Sequence, residues 1–381
     1  MKITAVKTAT LAGYKDWNFV RLETDAGIAG IGEAYPGEGV AELIVRRLAP
    51  LIMGKDPRDV EPLYNHMVAR TIGQSTAGTM LAAISGVETA LWDVAGKAMG
   101  VPVYRLLGGH YRDRIRLYAD VGRGRNHTDT PEAWAQRARE GVADGFGAIK
   151  FDIDHSADEF QHDAVSRGLS LGELDKMTAL VEAVREAVGP AVDVCIDCHG
   201  IYGVRDAVLL AARLEPFDLM FMEDPVPPEN AEAMAKVTSS TSIPICTGEF
   251  VHRRDGFRPL VQNQACDMLH VDVSSTGGML EAKKIADLAD LYYMPFAAHN
   301  ITSPIGMTAA AHVCAAVRNL HTMELPYHAD QVTWRWDLVE SPAALVEEGE
   351  FALPDRPGLG VELNEDVARE HLKEGYGFFE E

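Results

Sequence analysis

Val192–His199 reads VDVCIDCH and is followed by Gly200. In a β-strand, side chains two residues apart point to the same face of the sheet. Asp197 and His199 would therefore project together from the end of one strand, just before a glycine-containing turn. Two polar side chains in this position favour a functional site, although the opening of a surface loop would produce the same pattern.

The residues downstream show that this stretch is one of a series. Further short apolar runs lie downstream, and a polar residue ends or closely follows each of them. These polar residues recur at intervals of roughly 25 residues, which is about the length of a strand, a helix and their loops. These residues are Glu223, Glu249, Asp272, His299 and Glu324. Helix-like segments, such as Arg205–Leu214 and Met279–Leu291, lie between them. The pattern predicts βα units, eight of which close into a TIM barrel with its site at the carboxyl ends of the strands.

Length and charge narrow the class of protein. The chain has 381 residues, enough for an α/β barrel and a second domain. No apolar run approaches the roughly 18–20 residues that span a membrane, and the start of the chain has no signal-peptide core. The net charge of −22 argues against a basic surface that binds nucleic acid. We therefore expect a cytoplasmic protein with neither a membrane nor a nucleic-acid partner.

The five cysteines show no disulfide-like spacing. Cys195 and Cys198 form a CxxC pair that could be taken for a redox or zinc motif. Their offset of three places them on opposite faces of the predicted strand, so they cannot easily converge. Buried reduced thiols are the better interpretation, and they favour a reducing cytoplasm.

The first part of the chain does not show the barrel period. Val20–Thr24 and Ile28–Ala34 flank Asp25-Ala26-Gly27 and predict a β-hairpin. Helix-like segments at Ala41–Leu51, Val60–Met67 and Gly78–Met99 follow it, so residues 1–115 are predicted to form an α+β domain. The barrel is predicted over residues 116–325, beginning with strands at Ile115–Ala119 and Ala148–Ile153. His155–Leu171 is too long for an ordinary βα loop and is interpreted as an insertion over the barrel mouth, with a lid as one hypothesis for its role.

Three carboxylates, those of Asp197, Glu223 and Glu249, would end consecutive strands and converge. Two unit charges about 4 Å apart repel by about 4 kcal/mol at an effective dielectric constant near 20, so the three cannot share that space unless they are protonated or a cation neutralises them. Oxygen ligands suit a hard divalent ion, and Mg²⁺ keeps waters that a substrate can displace. The pattern predicts a site for a hard divalent ion such as Mg²⁺; the alternative is three separately solvated acids.

Two histidines are candidates for proton transfer. His299 would end strand seven beside Asp272, and a carboxylate on one imidazole nitrogen raises the basicity of the other. His199 would lie across the mouth, so one histidine could remove a proton while the other donates one. The remaining histidines considered have no such support and are interpreted as structural or surface residues: His155, His162, His252, His270, His321 and His328.

The ordered set of strand-end residues carries a family resemblance. Asp197, Glu223 in MEDP, Glu249 in TGE, Asp272, His299 and Glu324, together with WDVAGKAMGVPVYRLLGG from Trp92 to Gly109, resemble the mandelate racemase-like branch of the enolase superfamily. The resemblance implies a modified (β/α)₇β barrel under an α+β capping domain that residues 326–381 complete. It also implies one Mg²⁺ that stabilises an enediolate after proton abstraction beside a carboxylate.

One departure from the family pattern narrows the chemistry. Many relatives carry Lys-x-Lys at the end of strand two, whereas this chain has Lys150-Phe151-Asp152 and lacks the second lysine. Asp197-x-His199 instead resembles the galactonate, gluconate, arabinonate and mannonate dehydratases. The implied reaction converts an aldonate into a 2-keto-3-deoxy acid. An epimerase or racemase, a dehydratase of another 2-hydroxy or amino acid, and a non-catalytic scaffold are the alternatives.

The resemblance also implies roles for the remaining site residues. His299, oriented by Asp272, removes the C2 proton, and His199 protonates the departing 3-hydroxyl. Lys150 helps to stabilise the enediolate, and Glu324 binds the substrate near its carboxylate. Asp152 either binds a distal hydroxyl or pairs with Lys150. Capping-domain loops near Tyr14–Trp17, with Tyr14 and Trp17 as named contacts, and near Ile72–Thr79 cover the sugar-acid substrate, and the protein is expected to be a homo-oligomer.

Overall fold

The computed structural model describes residues 1–122, 130–154, 168–327, 332–341 and 343–380. The amino-terminal part begins with an antiparallel sheet whose strands are β1 (Ile3–Ala12), β2 (Asp16–Thr24) and β3 (Ala29–Ala34). The predicted hairpin is confirmed as β2 and β3, which turn at Gly27 with a positive φ of 71° that glycine adopts without strain. β1, on the other side of β2, was not predicted.

Helices cover one face of this sheet. They are α1 (Val40–Leu43), α2 (Ala49–Ile52), α3 (Val60–Arg70), α4 (Gly78–Met99) and α5 (Val103–Leu106). The predicted single helix over Ala41–Leu51 is interrupted by a π-helical turn, Ile44–Leu48. Pro50, which has no N–H to donate to a preceding carbonyl, lies in the first turn of α2. α4 packs so closely on β3 that a Cβ at Gly30 would lie 2.5 Å from the carbonyl oxygen of Ala90.

The barrel follows directly and is closed. Its strands are β4 (Arg114–Asp120), β5 (Ala148–Asp152), β6 (Asp193–Asp197), β7 (Phe221–Glu223), β8 (Ile245–Thr247), β9 (Met268–Asp272), β10 (Phe296–His299) and β11 (Leu320–Pro326). Neighbouring strands are parallel, and β11 pairs with β4 to close the ring. The predicted TIM-type fold is confirmed, and the strand that begins the series lies at its predicted place as β6.

Seven helices connect the barrel strands in the part of the chain that the structure describes. They are α6 (Pro131–Ala143), α7 (Leu171–Val188), α8 (Val204–Leu214), α9 (Ala231–Thr238), α10 (Arg253–Gln262), α11 (Met279–Asp290) and α12 (Pro304–Ala316). This is the (β/α)₇β arrangement. The segment interpreted as an insertion lies outside the described residues from position 155 to 167. None of the helices in the described ranges is both long and apolar enough to cross a membrane.

The barrel interior has an apolar floor beneath a polar upper layer. The floor is a buried cluster consisting of Tyr118, Ala148, Cys195, Phe221, Cys246, Met268 and Ala297. Cys195 belongs to this interior cluster, whereas Cys198 faces the strand–helix core, as the strand parity predicted. All five cysteines are buried free thiols.

The carboxyl-terminal segment contacts both parts of the molecule. It contains β12 (Val339–Glu340), β13 (Val346–Glu347), β14 (Glu350–Ala352), β15 (Glu362–Leu363) and α13 (Glu365–Glu370). β14 extends the sheet by pairing antiparallel with the start of β4. Further on, the N–H of Lys373 donates to the carbonyl of Thr10 at 2.9 Å, so the segment returns to β1. The division of the chain at residues 115 and 325 stays a prediction.

Two buried carboxylates join the capping region to barrel helices. Glu88 on α4 accepts hydrogen bonds from the N–H groups of Met279 (2.8 Å) and Leu280 (3.1 Å) at the start of α11, and from the indole of Trp92 (2.7 Å). Glu33 accepts from the N–H groups of Ser303 and Gly306 at the start of α12, both at 3.0 Å. Helix amino termini have unpaired N–H groups and favour negative charge. The two helices that follow Asp272 and His299 are therefore held by the capping region.

The carboxyl of Glu88 should make stability depend on pH. Burial raises its pKa to about 7, although the N–H donors oppose the shift. The folded state thus retains a proton that the unfolded state has lost, so its contribution is full below about pH 4.5 and disappears as the pH rises through 7. The Glu88 carboxyl should therefore lower the free energy of unfolding of the wild type by roughly 3 kcal/mol as the pH rises through this window, and we expect Glu88→Gln to remove that fall. Urea unfolding between pH 4.5 and 8 measures it, with Glu232→Gln on an exposed helix face as control. A Glu88→Gln slope equal to that of the wild type would contradict the prediction.

Candidate active site

Strand register brings the predicted site residues together at one end of the barrel. Asp197 and Glu223 are direct cross-strand partners at the ends of β6 and β7. Asp272 and His299 are partners in the same way at the ends of β9 and β10. Glu249 lies two residues beyond β8. The carboxyl ends of neighbouring parallel strands meet at one edge, so residues far apart in the sequence reach the same height.

The carboxylates of Asp197, Glu223 and Glu249 form a buried cluster. One oxygen from each lies within 4.8 Å of the others, and all three side chains are buried. Three anions at this separation need a positive charge between them. Oxygen-only donors fit a hard divalent cation such as Mg²⁺. The cluster can therefore hold a metal ion.

Lys150 supplies positive charge beside this cluster. Its Nζ lies 2.9 Å from Glu223 and 3.2 Å from both Asp197 and Glu324. Burial alone would lower the pKa of Lys150, but the surrounding carboxylates raise it well above its ordinary value. Burial raises the pKa of the Asp152 carboxyl, whereas the charge of Lys150, which lies within electrostatic reach, acts to lower it, and both roles considered for Asp152 stay predictions. Asp152 also groups with Asp197 and His199.

His299 is held between carboxylates. Its Nδ1 lies 2.7 Å from Asp272, and its Nε2 lies 2.7 Å from Glu249. Asp272 also accepts hydrogen bonds from the Ser274 hydroxyl (2.6 Å) and the Ser275 N–H (3.0 Å). Asp272 is thereby fixed, and it orients the imidazole with Nδ1 as donor and Nε2 towards the cavity. Burial would lower the pKa of His299, but these carboxylates raise it well above 6.5.

His199 borders the opposite side of the cluster. Its backbone N–H donates to Asp197 Oδ1 at 2.9 Å, and its ring Nε2 lies 3.7 Å from Asp197 Oδ2. Its Nδ1 lies 3.2 Å from Asp154, a residue that the sequence analysis missed. Burial lowers the pKa of His199, but the charge of Asp197 and the contact with Asp154 outweigh it and raise the pKa to about 12. The sequence did carry a signal for Asp154, because Lys150, Asp152 and Asp154 alternate along KFDID and their side chains therefore share one face of the strand.

His270, interpreted from sequence as a structural or surface residue, lies inside the barrel among the site residues. Its Nδ1 is 2.5 Å from Glu223, and its Nε2 is 2.9 Å from the Tyr118 hydroxyl. It is fully buried. The signal was again parity, since His270 precedes Asp272 by two residues and must face the same interior. His155, His162 and His328 lie outside the described residues.

The site residues line a cavity of about 430 Å³. Its walls include Lys150, Asp152, Asp197, His199, Glu249, His299 and Glu324, with Tyr14 and Tyr35 contributed by the capping region. Tyr35 was not predicted, because nothing in the sequence relates the end of β3 to the barrel mouth. Tyr35, Glu249 and Phe250 also line an adjoining cavity of about 320 Å³, whose wall includes Thr79 from the second predicted capping loop.

Trp17 does not line this cavity, so its predicted substrate contact is corrected. Its side chain is 1% exposed and packs edge-on against Trp334, with ring centroids 5.3 Å apart. The reason is that the loop ends earlier than expected. Trp17 is already the second residue of β2, and its side of the strand faces the core formed with the carboxyl-terminal segment.

Comparison with known proteins identifies the family. Residues 1–108 match the mandelate racemase / muconate lactonizing enzyme N-terminal domain, and residues 133–367 match the enolase C-terminal domain-like family. The chain belongs to the mandelate racemase and muconate lactonizing enzyme family of the enolase superfamily. The resemblance inferred from the strand-end residues is therefore confirmed.

Similar members of this enolase-superfamily family match almost end to end. D-xylonate dehydratase from Haloferax volcanii is 44% identical over 100% of this chain and 91% of its own length. D-galactonate dehydratase from Xanthomonas oryzae pv. oryzae is 36% identical over 97% of this chain and 94% of its own. The crystal structure of a mandelate racemase/muconate lactonizing enzyme-like protein from Rubrobacter xylanophilus, 43% identical, superposes with a TM-score of 0.94 over 99% of both chains.

Proposed function

We propose that this chain is a sugar-acid dehydratase that converts an aldonate into a 2-keto-3-deoxy acid, with one Mg²⁺ per active site. One observation carries the proposal: two histidines, each on a carboxylate, border a cluster of three converging carboxylates at one end of the barrel. His199 borders it at Asp197 and His299 borders it at Glu249. A reaction that removes a proton from one carbon and a hydroxyl from the next needs a base and an acid of this kind.

The relatives support the same reaction class. Those named as dehydratases act on D-xylonate and D-galactonate, which are both aldonates. The two acids differ in the length of their carbon chains, so the comparison leaves the choice of aldonate open. The cavity and the adjoining cavity that share Tyr35 and Phe250 provide room for a linear polyhydroxy acid.

In the proposed mechanism, Glu249 would bind the cation instead of His299 Nε2, which removes much of the negative charge that raises the pKa of His299. Nε2 then takes the C2 proton, and Asp272 stabilises the imidazolium that forms. Asp197, Glu223 and Glu249 would hold Mg²⁺, which supplies positive charge for the enediolate as it develops. Lys150 adds a fixed ammonium in the same buried region. Glu324, already held by the N–H of Asn300 at 3.0 Å, borders the position expected for the substrate carboxylate.

His199 completes the elimination from the other side of the cluster. It donates a proton to the 3-hydroxyl, the C3–O bond breaks, and water leaves. The electron pair of the former C2–H bond forms the C2–C3 double bond of an enol, which takes a proton at C3 to become the 2-keto acid. The net change is the loss of one water with no oxidation or reduction.

An epimerase is the second candidate, because two histidines flanking one carbon could exchange its proton. The β5 end supplies no free amine for a two-base lysine–histidine pair, since Lys150 pairs with three carboxylates.

The screen that tests the proposal incubates the protein with Mg²⁺ and a panel containing D-xylonate, D-galactonate, D-gluconate, D-arabinonate and D-mannonate. Semicarbazide then detects 2-keto acid. Deuterium exchange at C2 in D₂O without keto acid would favour the epimerase.

Asp154 provides a sharper test of the acid. We expect Asp154→Asn to lower kcat for dehydration by roughly tenfold to a hundredfold, because His199 loses the carboxylate that orients it. C2 deuterium exchange should persist, because His299 still removes the proton. Product formation and exchange are measured on the same samples, with Asp206→Asn on α8 as a control. Parallel loss of exchange and dehydration would contradict the assignment.

We propose further that the protein works in the cytoplasm as a homo-oligomer. The buried free thiols suit a reducing compartment. Light scattering after size-exclusion chromatography tests the assembly.

A further inference from the structure

We propose that His270, oriented by Tyr118, is a positioning residue. It holds one carboxylate oxygen of Glu223 in a hydrogen bond and so keeps the other oxygen directed at the metal site. The inference rests on the Mg²⁺ site proposed above. It concerns a buried chain of three side chains, Tyr118, His270 and Glu223, contributed by β4, β9 and β7.

The two oxygens of Glu223 face different partners. Oε1 lies 2.5 Å from His270 Nδ1, whereas Oε2 lies 2.9 Å from Lys150 Nζ, on the side of the carboxylate cluster. An ionised carboxylate only accepts hydrogen bonds, so His270 Nδ1 carries the proton. With Oε1 committed to the imidazole, the carboxylate cannot rotate freely, and Oε2 stays directed at the cluster.

Tyr118 sets the orientation of the imidazole. The Tyr118 hydroxyl lies 2.9 Å from Nε2, the ring nitrogen that does not face Glu223, so both ring nitrogens are bonded and the imidazole cannot turn. Tyr118 is itself buried and packs edge-on against Phe221, with ring centroids 5.9 Å apart. The chain therefore runs from Glu223 through His270 to Tyr118, and its far end rests on the apolar floor of the barrel.

The position of His270 favours a role at the site over simple filling of the interior. Its ring meets His299 edge to face at 5.3 Å, and its Nε2 lies 4.0 Å from Glu324. Partners that hold a metal ligand from behind commonly change metal affinity tenfold to a hundredfold when they are removed. A residue that only fills space would change stability and leave the affinity unaltered.

The experiment measures Mg²⁺ affinity without substrate, by isothermal titration calorimetry on the full chain. We expect His270→Leu to raise the Kd for Mg²⁺ by roughly tenfold to a hundredfold. His270→Asn should recover most of the affinity, because its amide nitrogen can replace Nδ1 as donor to Glu223. Tyr118→Phe should raise the Kd by about threefold to tenfold, since it removes only the orienting hydroxyl.

His312 provides the matched control. It is also fully buried with both nitrogens bonded, to the N–H of Tyr104 (3.2 Å) and the carbonyl of Leu359 (3.0 Å), away from the site. His312→Asn should lower Tm and leave the Kd for Mg²⁺ unchanged.

The outcomes separate this inference from the proposed metal site. A Kd for His270→Leu equal to that of the wild type would overturn the positioning role and leave the metal site standing. A wild-type chain that does not bind Mg²⁺ would overturn both. If His270→Leu does not fold, Tyr118→Phe decides the matter, and an unchanged Kd in that variant would overturn the inference.

Discussion

His299→Asn is expected to lower kcat for aldonate dehydration by about a thousandfold, because the variant has no base at the C2 proton. Deuterium exchange at C2 should disappear together with product formation. Asp272→Asn should show the same double loss, since a carboxamide neither stabilises the imidazolium nor keeps the imidazole in its tautomer. Keto-acid formation and C2 exchange are measured with the aldonate that the wild type turns over.

This result has to be separated from damage to the metal site, because His299 Nε2 contacts Glu249. The Kd of His299→Asn for Mg²⁺ should stay within about threefold of the wild-type value, so that the loss lies in kcat. Retained exchange in His299→Asn would assign proton abstraction to another group, and His199 would be the first to test.

Lys150→Met is expected to destabilise the metal-free protein by roughly 3–5 kcal/mol, because removing one partner of a buried ion pair leaves charge uncompensated. Here the loss leaves Asp197, Glu223 and Glu324 without the ammonium that all three contact. At one fixed Mg²⁺ concentration, Mg²⁺ should stabilise Lys150→Met more than it stabilises the wild type, because the cation then replaces the missing ammonium; the gain reaches roughly 3 kcal/mol where that concentration is a hundred times the Kd of the variant. Urea unfolding with EDTA and with Mg²⁺ measures both effects.

Lys97→Met is the matched control for this experiment. Lys97 also bridges two carboxylates, Asp93 at 2.9 Å and Glu362 at 2.8 Å, but it does so in the capping region. Lys97→Met should be less stable than the wild type, but Mg²⁺ should stabilise this variant no more than it stabilises the wild type. If Mg²⁺ stabilises Lys150→Met no more than Lys97→Met, the ammonium and the cation do not share the same carboxylates.

Much of the fold followed from short-range pattern in this chain. Alternation along VDVCIDCH, the recurrence of polar strand ends and helical segments such as Arg205–Leu214 were sufficient to predict the barrel. Where the prediction differed, a local cause is visible. Pro50 follows a π-helical turn within the helix expected over Ala41–Leu51, and β2 begins early enough to bury Trp17 in the core.

Spacing along the chain was enough to predict which residues lie at the barrel mouth. A strand has a period of two, a βα unit has a nearly constant length, and the ends of parallel strands meet at one edge. These three regularities place Asp197, Glu223, Asp272 and His299 without knowledge of any contact, because each depends only on spacing along the chain.

The contacts at the barrel mouth could not be predicted in this way, because they depend on how separate strands and domains pack. Parity allows His270 to face the interior, but the closure of the barrel brings it within 2.5 Å of Glu223 and 2.9 Å of Tyr118. In the same way, the three carboxylates around Lys150, the contact of Asp154 with His199 and the entry of Tyr35 from the capping region depend on distances between separate elements. Hydrogen bonds and ion pairs act over a few ångströms, and the packing of whole strands and domains sets such distances, which spacing along one strand does not encode.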